Sequence, residues 1–486
     1  MPPWRLIVFV FVLVLATRLA TAPEHLLHFD NVNFALSLED FNPPRHQPQP
    51  PGYPLYVALL RVLHVGIADA WHVQLAAGIL ITTAAAIILW ILTNEMFGDD
   101  AALLAVAAFV LTPPCWVSGV TNQVRLCLAL GSAVVALFAW QAILRPSSSS
   151  RLYATFFGLG ITAGFRPELG ILLSPLVLWA WFRTGHHLRR LFFASLIVAA
   201  ATVPWIAVTA RESGGLSEFL TLLQTYSHDQ FRTSSAAYGA TSDQAWMMAM
   251  QALIWGGLPV VSWIWAVLFV LRRRPSASQV VFLTMWLLPT LLFSIFVHTT
   301  QPDQVLANIP ALCVIGGAVL SALTHRRRAV LSTAFAVALF NAVLFFNPPG
   351  EIAAQSGYSQ VMERDRRIAE TFASIRAVKG PSPAAIVEHQ GSITWRHISY
   401  YFADDEVLAL DSNRDGYSWI IQHRKERAVL HQADRLPGPR RVVLVSAAFD
   451  PATLTADGWQ RHEGVYYRDV DSGEVVAIGP HQLRQP

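Results

Sequence analysis

The residues best suited to chemistry follow the first apolar stretch of the chain. Asp30 lies in a polar segment that also carries Arg45 and His46. A carboxylate can take a proton from an attacking hydroxyl group, whereas arginine, and histidine when protonated, can bind a phosphate. The segment therefore holds a candidate general base together with candidate anion-binding groups.

Two other acids of this segment, Glu39 and Asp40, compete with Asp30 for the role of base. An acidic residue in a loop is also often only solvated. Arg45 and His46 have a similar alternative, in which they form the edge of a loop that contacts lipid headgroups. The residues alone leave these interpretations open.

Further polar groups follow later apolar stretches. Gln123 and Arg125 precede one stretch, and His298 begins a hairpin that also contains Asp303. Arg125 is a candidate phosphate contact or a side chain that extends along a helix end toward the membrane surface. Asp303 can be explained as a turn cap. For Arg166 and Glu168 we favour a mutual ion pair.

The elements that must position these residues are apolar helices. A helix needs about 20 mostly apolar residues to cross a bilayer. The sequence predicts eleven such spans, near 4–20, 72–97, 100–117, 124–144, 151–165, 168–183, 190–210, 246–271, 278–297, 304–323 and 328–346.

The arginines between the predicted spans indicate the topology. Cytoplasmic loops are enriched in arginine and lysine, and an inside N-terminus places Arg183, Arg189 and Arg272–Arg274 in such loops. This topology puts a first outer loop, 21–70, and a second, 211–245, on the outer side. We interpret the first apolar stretch as a retained span. In the first loop, 55–67 is too short to span and predicts a helix in the membrane interface.

Composition supports a membrane protein. The 486-residue chain is 53% hydrophobic and only 14% charged, whereas a soluble chain has roughly 25% charged residues. The net charge is +3, and the arginines do not form one continuous basic face, which argues against nucleic acid as a partner. Cys115, Cys127 and Cys313 show no metal-binding spacing and predict small apolar packing residues.

Charged residues return after residue 346, so the chain divides into a membrane domain, 1–346, and a soluble domain, 347–486. Short apolar runs predict strands at 384–388, 407–410 and 441–445, and helical patterns occur at 368–377 and 394–402. Residues 464–469 and 474–478 predict a further strand pair. We expect a small α/β domain outside the membrane.

The order of these features resembles the GT-C superfamily of integral-membrane glycosyltransferases, which includes protein O-mannosyltransferases and the lipid A aminoarabinose transferase. The resemblance covers nearly the whole membrane part. It is carried by Asp30 after the first span, the PPGYP motif of residues 50–54, the polar stretch 122–128, the GFRPE motif of residues 164–168 and the stretch HTTQPDQVLANIPAL of residues 298–312.

The resemblance implies a sugar donor linked to polyprenyl phosphate and an acceptor on protein, lipid or glycan. It implies Asp30 as the base, with Tyr53, Gln123, Arg125 and His298 near the substrate. Two positions depart from the family pattern, because Gln49 stands where lysine or histidine is common and Gln123 where many members have an acid. Amides are weak ligands for hard cations, so a bound divalent metal is doubtful.

The resemblance implies residence in a bacterial inner membrane, with membrane lipid as a partner. Two other functions stay open at this point. A transporter or flippase of lipid-linked sugars would need polar or discontinuous helices at mid-membrane. A catalytically inactive scaffold of GT-C type is the second, because of Gln49 and Gln123.

Overall fold

The computed structural model describes residues 3–185, 187–232, 234–270, 275–324, 326–391, 393–413, 416–423, 426–430, 441–471, 474–478 and 481–484. Contacts divide the chain into two compact units. The membrane unit comprises Met1–Ala22 and Pro50–Val361, and the sheet unit comprises Pro23–Gln49 and Met362–Pro486. Residues 23–49 therefore group with the C-terminal part of the chain, although helices of the membrane unit precede and follow them.

The membrane unit is helical. Its α-helices are Pro3–Thr21, Pro54–His64, Ala70–Phe97, Asp99–Val110, Pro113–Val120, Leu126–Leu144, Ser149–Phe165, Glu168–Leu172, Ser174–Arg183, Leu188–Glu212, Leu216–Phe231, Ser242–Val261, Val267–Val270, Ala277–Phe296, Ile309–Ser321, Arg327–Phe346 and Gly350–Ala354. Its 3₁₀ turns are Gln123–Arg125, Ala236–Tyr238, Ile264–Ala266 and Pro302–Ala307. The helix Tyr358–Lys379 leads into the sheet unit.

Several of these helices can cross a membrane. In the described part of the chain, 6 helices are long and apolar enough, or up to 7 if the bent pair Asp99–Val110 and Pro113–Val120 forms one span. The multi-spanning helical architecture is confirmed, whereas the number of eleven spans stays a prediction. Arg272–Arg274, used to orient the spans, lie outside the described residues.

Two prolines cause the bend of 53° between the helices of this pair. Pro113 and Pro114 have no amide hydrogen, so Phe109 and Val110 lose the donors that a continuous helix would supply. The amide of Thr112 donates to Phe109 instead. The carbonyl groups of Val110 and Ala108 accept hydrogen bonds from buried side chains of other helices.

These donors come from both ends of the membrane unit. Arg18 Nη2 donates to the Val110 carbonyl at 2.8 Å, and Asn341 Nδ2 donates to the Ala108 carbonyl at 2.9 Å. Both side chains are fully buried. A buried backbone group without a partner costs about 1–3 kcal/mol. The first and last long helices therefore stabilise the break between them.

Two segments that connect the long apolar helices themselves contain a helix. The helix Pro54–His64 buries Tyr56, Val57 and Leu60 on one face, as the predicted interfacial helix would. In the predicted loop 211–245, a helix occupies Leu216–Phe231. Its single buried residue is Phe219.

The sheet unit contains a seven-stranded mixed sheet. Its strands are Ala385–His389, Glu406–Asn413, Gly416–His423, Glu426–Leu430, Arg441–Ser446, Gln460–His462 and Val465–Asp469, and Val475–Ile478 and His481–Arg484 form a separate pair. Ala385–His389 lies in the centre and pairs in parallel with Glu406–Asn413 and Arg441–Ser446. The unit also contains the helices Phe29–Ser37, Trp395–Tyr401 and Pro451–Ala456 and the 3₁₀ turn Pro43–Arg45.

The predicted α/β class is confirmed, but one pairing was wrong. Val465–Asp469 pairs with Gln460–His462 and Arg441–Ser446, and Val475–Ile478 pairs with His481–Arg484. The tight turn Glu463–Gly464 joins Val465–Asp469 to Gln460–His462, a strand that the apolar pattern did not indicate. The two strands predicted as a pair therefore belong to different sheets. Gln460–His462 is exposed, so it lacks an apolar signal.

We expect Gly317→Ala to destabilise the membrane unit by about 1–3 kcal/mol, because a Cβ atom there would lie 2.3 Å from the backbone oxygen of Ala101. Gly257→Ala is the matched control, since a Cβ atom at that helical position meets nothing within 4 Å. Thermal unfolding of the purified protein in detergent measures both effects. Equal melting temperatures of the two variants would contradict the proposed close helix contact.

Candidate functional site

The candidate residues are divided between the two units. Those of the sheet unit lie in 23–49 and are Asp30, Arg45 and His46. Those of the membrane unit are Tyr53, Gln123, Arg125 and His298. Each group is described within its own unit.

Asp30 lies in the first turn of the helix Phe29–Ser37 and is partly buried. A carboxylate at this position interacts favourably with the positive end of the helix dipole. By contrast, Glu39 is exposed beyond the helix end. Asp40 Oδ2 lies 4.0 Å from Arg45 Nη1. Of these three acids, Asp30 is the one that lies in a helix.

Arg45 and His46 end a short 3₁₀ turn. The Asn42 side chain accepts a hydrogen bond from the Arg45 amide at 3.2 Å. His46 follows with a φ angle of 56°, in the left-handed region that is uncommon for residues with a side chain. The Arg45 side chain is 44% exposed, so its guanidinium can reach a ligand in solvent.

Gln49, which replaces the cation common in the family, is a buried structural residue. Its Oε1 accepts a hydrogen bond from Asn33 Nδ2 at 3.2 Å, and both side chains are buried. The bond connects the end of the segment to the helix that carries Asp30. A charged side chain at this buried position would need a counter-ion, which a neutral amide does not.

In the membrane unit, Tyr53 contacts a buried ion pair. The Arg166 guanidinium lies 4.9 Å from the centroid of the Tyr53 ring. Arg166 also donates to Glu168 Oε1, from Nε at 2.9 Å and from Nη2. The expected pairing of Arg166 with Glu168 is confirmed. Stacking on Tyr53 adds a cation–π contact.

Arg125 forms a looser ion pair with Asp303, which the sequence placed in the polar hairpin after His298 or explained as a turn cap. Arg125 Nε lies 3.9 Å from Asp303 Oδ1, and the side chains are 13% and 5% exposed. The charge of Arg125, like that of Arg166, acts on both Glu168 and His298. We call these five residues the charge cluster.

His298 is a neutral member of the charge cluster. Burial, followed by the nearby charge of Arg125, lowers its pKa to about 4. Gln304 Oε1 accepts from the amides of Thr300 and Gln301, so its NH₂ group faces His298 Nε2 at 3.0 Å. Nε2 is therefore an acceptor.

The opposite ring nitrogen, Nδ1, lies 3.1 Å from Ser234 Oγ, which itself donates to the Val297 carbonyl. Nδ1 must then carry the hydrogen of the neutral ring. Both nitrogens have protein partners, and the predicted contact of His298 with a substrate phosphate stays a prediction. The residue connects Ser234 to the turn Pro302–Ala307.

Gln123 is also enclosed in the membrane unit. It is fully buried in the 3₁₀ turn that precedes Arg125. A Cβ atom at Gly78 would lie 2.7 Å from Gln123 Cγ, so the glycine allows the turn to approach the helix Ala70–Phe97 closely. The predicted contact of Gln123 with the substrate stays a prediction.

Among the described residues, no three His, Cys, Asp or Glu side chains lie close enough together to hold a metal ion. Cys115, Cys127 and Cys313 are buried free thiols, as expected of packing residues. The sequence did not indicate the Arg125–Asp303 pair or the Gln304 contact, because each joins segments that local patterns treat separately.

The sequence matches no protein family profile and no curated protein. The fold is similar to that of ArnT from Cupriavidus metallidurans in its apo state, with a TM-score of 0.64, 16% identity, and coverage of 95% of this chain and 96% of that chain. For ArnT bound to undecaprenyl phosphate, the TM-score is 0.62 and the identity 14%, with coverage of 95% and 97%. This similarity confirms the predicted architecture, in which many apolar helices precede a small C-terminal α/β domain.

An oligosaccharyltransferase from Archaeoglobus fulgidus is also similar, with a TM-score of 0.48 and 11% identity. The match covers 83% of this chain and 63% of that chain.

We expect acidification to destabilise the protein through His298. Its folded-state pKa, about 4, is below the ordinary 6.5, so between these values the unfolded state binds a proton that the folded state excludes. Stability falls as the pH is lowered through this window. His298→Gln removes this contribution, so its melting temperature should change less between pH 7 and pH 5 than that of the wild type.

His228→Gln, at an exposed position, is the control and should retain the wild-type pH dependence. Identical pH profiles of all three proteins would contradict a neutral, buried His298.

Proposed function

We propose that this protein is a glycosyltransferase that moves a sugar from a polyprenyl phosphate donor to an acceptor hydroxyl group. The observation that carries the proposal is the similarity to the ArnT fold over 95% of this chain. One of the similar structures has undecaprenyl phosphate bound. Asp30, on a folded helix, and the arginines of the charge cluster supply suitable chemistry.

In the proposed reaction, the acceptor oxygen attacks the anomeric carbon of the sugar. Asp30 takes the hydroxyl proton, the new glycosidic bond forms, and the bond from the anomeric carbon to the phosphate oxygen breaks. The electron pair of this bond leaves with the polyprenyl phosphate. Positive groups near the departing oxygen stabilise the charge that develops there.

Arg125 is the arginine best suited to contact the phosphate. Arg166 donates twice to Glu168, stacks on Tyr53 and has a side chain that is 4% exposed, whereas the Arg125 side chain, 3.9 Å from Asp303, is 13% exposed. A planar guanidinium can contact a carboxylate and a phosphate with different nitrogens. Arg45 and His46 are proposed as further contacts of the anionic donor, since Arg45 is exposed.

The proposed site faces the outer side of a bacterial inner membrane, with the N-terminus inside and the soluble domain outside. The arginine-rich connections between the apolar helices support this orientation. The acceptor is a lipid, a protein or a glycan, and its identity depends on contacts that the named residues do not define.

We expect Asp30→Asn to lower kcat by about 10²–10⁴, because the amide cannot accept the proton during attack. The measurement is transfer of labelled sugar from polyprenyl phosphate donors by purified protein in lipid nanodiscs. Glu39→Gln, in the same segment but exposed, should retain activity near that of the wild type. Full activity of Asp30→Asn would reject Asp30 as the base.

A wild-type protein that transfers no sugar from any such donor, but moves the donor across vesicles, would instead support a flippase. Neither transfer nor transport would favour an inactive scaffold.

We expect Arg125→Gln to raise the KM for the donor and the inhibition constant of undecaprenyl phosphate about 10–100-fold, the value of one charge-assisted hydrogen bond. Arg145→Gln is the control, because Arg125 and Arg145 flank opposite ends of the helix Leu126–Leu144. The double variant Arg125→Gln with Asp303→Asn preserves charge balance. An unchanged inhibition constant in this double variant would exclude Arg125 as a phosphate contact.

A further inference from the structure

The helix that carries Asp30 is anchored by C-terminal residues of the sheet unit. Asp365 accepts hydrogen bonds from the amides of Glu24 and His25 at 3.0 and 3.1 Å, and its Oδ1 lies 2.9 Å from His25 Nδ1. Tyr401 Oη accepts from the Leu26 amide at 3.0 Å. These contacts fix the chain just before the helix Phe29–Ser37.

The electrostatics favour this anchor. Burial acts to raise the pKa of Asp365, but the hydrogen bonds from His25 and from the Glu24 amide outweigh it and lower the pKa of this carboxyl below its ordinary value. Asp365 is therefore charged at neutral pH. A charged acceptor strengthens each of the bonds that it receives.

Arg396 contacts the same segment at two places. It lies in the helix Trp395–Tyr401 and is fully buried. Its Nη2 donates to the Arg45 carbonyl at 2.8 Å. Its guanidinium also lies 5.6 Å from the centroid of the Phe29 ring, and Phe29 immediately precedes Asp30.

Aromatic stacking fixes the plane of this guanidinium. Arg396 lies 4.5 Å from the centroid of the Trp395 ring, and the Phe29 and Trp395 rings meet edge to face at 5.6 Å. A planar cation can stack and donate at the same time, which a lysine ammonium cannot do. One side chain thus joins the start of the Asp30 helix to the turn that carries Arg45 and His46.

We propose that Arg396 is a positioning residue that sets the separation between Asp30 and the Arg45–His46 turn. This role rests on the proposed function, in which Asp30 is the base and the turn contacts the donor. It makes the C-terminal part of the sheet unit a support of the proposed catalytic residues. A displacement of about 1 Å in a catalytic group can lower the rate about 10²-fold.

The first test is hydrogen–deuterium exchange of the full-length protein in nanodiscs. Arg396→Met should increase exchange in peptides covering 27–37 and 42–49, while peptides from the strands Ala385–His389 and Arg441–Ser446 remain protected. Arg461→Met, at an exposed arginine of the same unit, is the control and should leave both sets unchanged. Unchanged exchange in 27–49, or a uniform increase that includes the strands, would overturn the proposal.

The second test uses transfer kinetics. Arg396→Met should lower kcat about 10–100-fold with little change in the donor KM, and Arg396→Lys should recover part of the loss. Phe29→Leu removes the stacking partner without altering the C-terminal helix and should lower kcat in the same direction. The double variant should lose less than the product of the single effects, because both changes break one contact.

Multiplicative losses would show that Phe29 and Arg396 act separately and would overturn the proposal. The two tests also separate this inference from the proposed function. If the wild type transfers no sugar, the proposed function fails, whereas the exchange experiment still decides whether Arg396 orders the segment.

Discussion

Hydrocarbon offers no hydrogen bonds, so each break in a membrane helix must be compensated by protein groups. In this chain the break follows Val110, where two prolines remove the normal donors. Arg18 donates to the Val110 carbonyl, and Asn341 donates to the Ala108 carbonyl, which the Thr112 amide leaves when it donates to Phe109. The prolines, the buried arginine and the buried asparagine therefore depend on one another, although more than 300 positions separate Arg18 from Asn341 in the sequence. The packing of the membrane unit depends on this compensation.

The same constraint governs the charge cluster. Isolated charges are costly to bury, and here Arg125 and Arg166 are balanced by Asp303 and Glu168, while His298 remains neutral. A balanced cluster is stable without a ligand. The four charged side chains of the cluster therefore compensate one another within the protein.

Local patterns predicted the elements whose signals are local. Apolar runs of sufficient length indicated the helices, because the bilayer requires length and hydropathy together. The central strands were equally clear, since both faces of Ala385–His389 are buried and the run is continuous. Gln460–His462 is exposed and was missed, because an exposed edge strand needs no apolar residues.

The candidate site was less predictable for a physical reason. Asp30 and Arg125 were identified by residue type and family resemblance, but their surroundings depend on contacts between distant segments. Neither the Asp303 carboxylate near Arg125 nor Arg396 near Phe29 leaves a periodic signal. An arginine within the aromatic helix Trp395–Tyr401 was the available clue, because a cation in such a helix needs a buried partner.

Residues 23–49, which contain the candidate base Asp30, belong to the same compact unit as the C-terminal part of the chain. A polar segment of this length cannot bury enough apolar surface to order itself, so it takes its order from another part of the chain. Asp365, Tyr401 and Arg396 provide that order through hydrogen bonds to its backbone. The His25 and Phe29 side chains add contacts with Asp365 and Arg396. The position of the segment is therefore held by residues more than 300 positions away in the sequence.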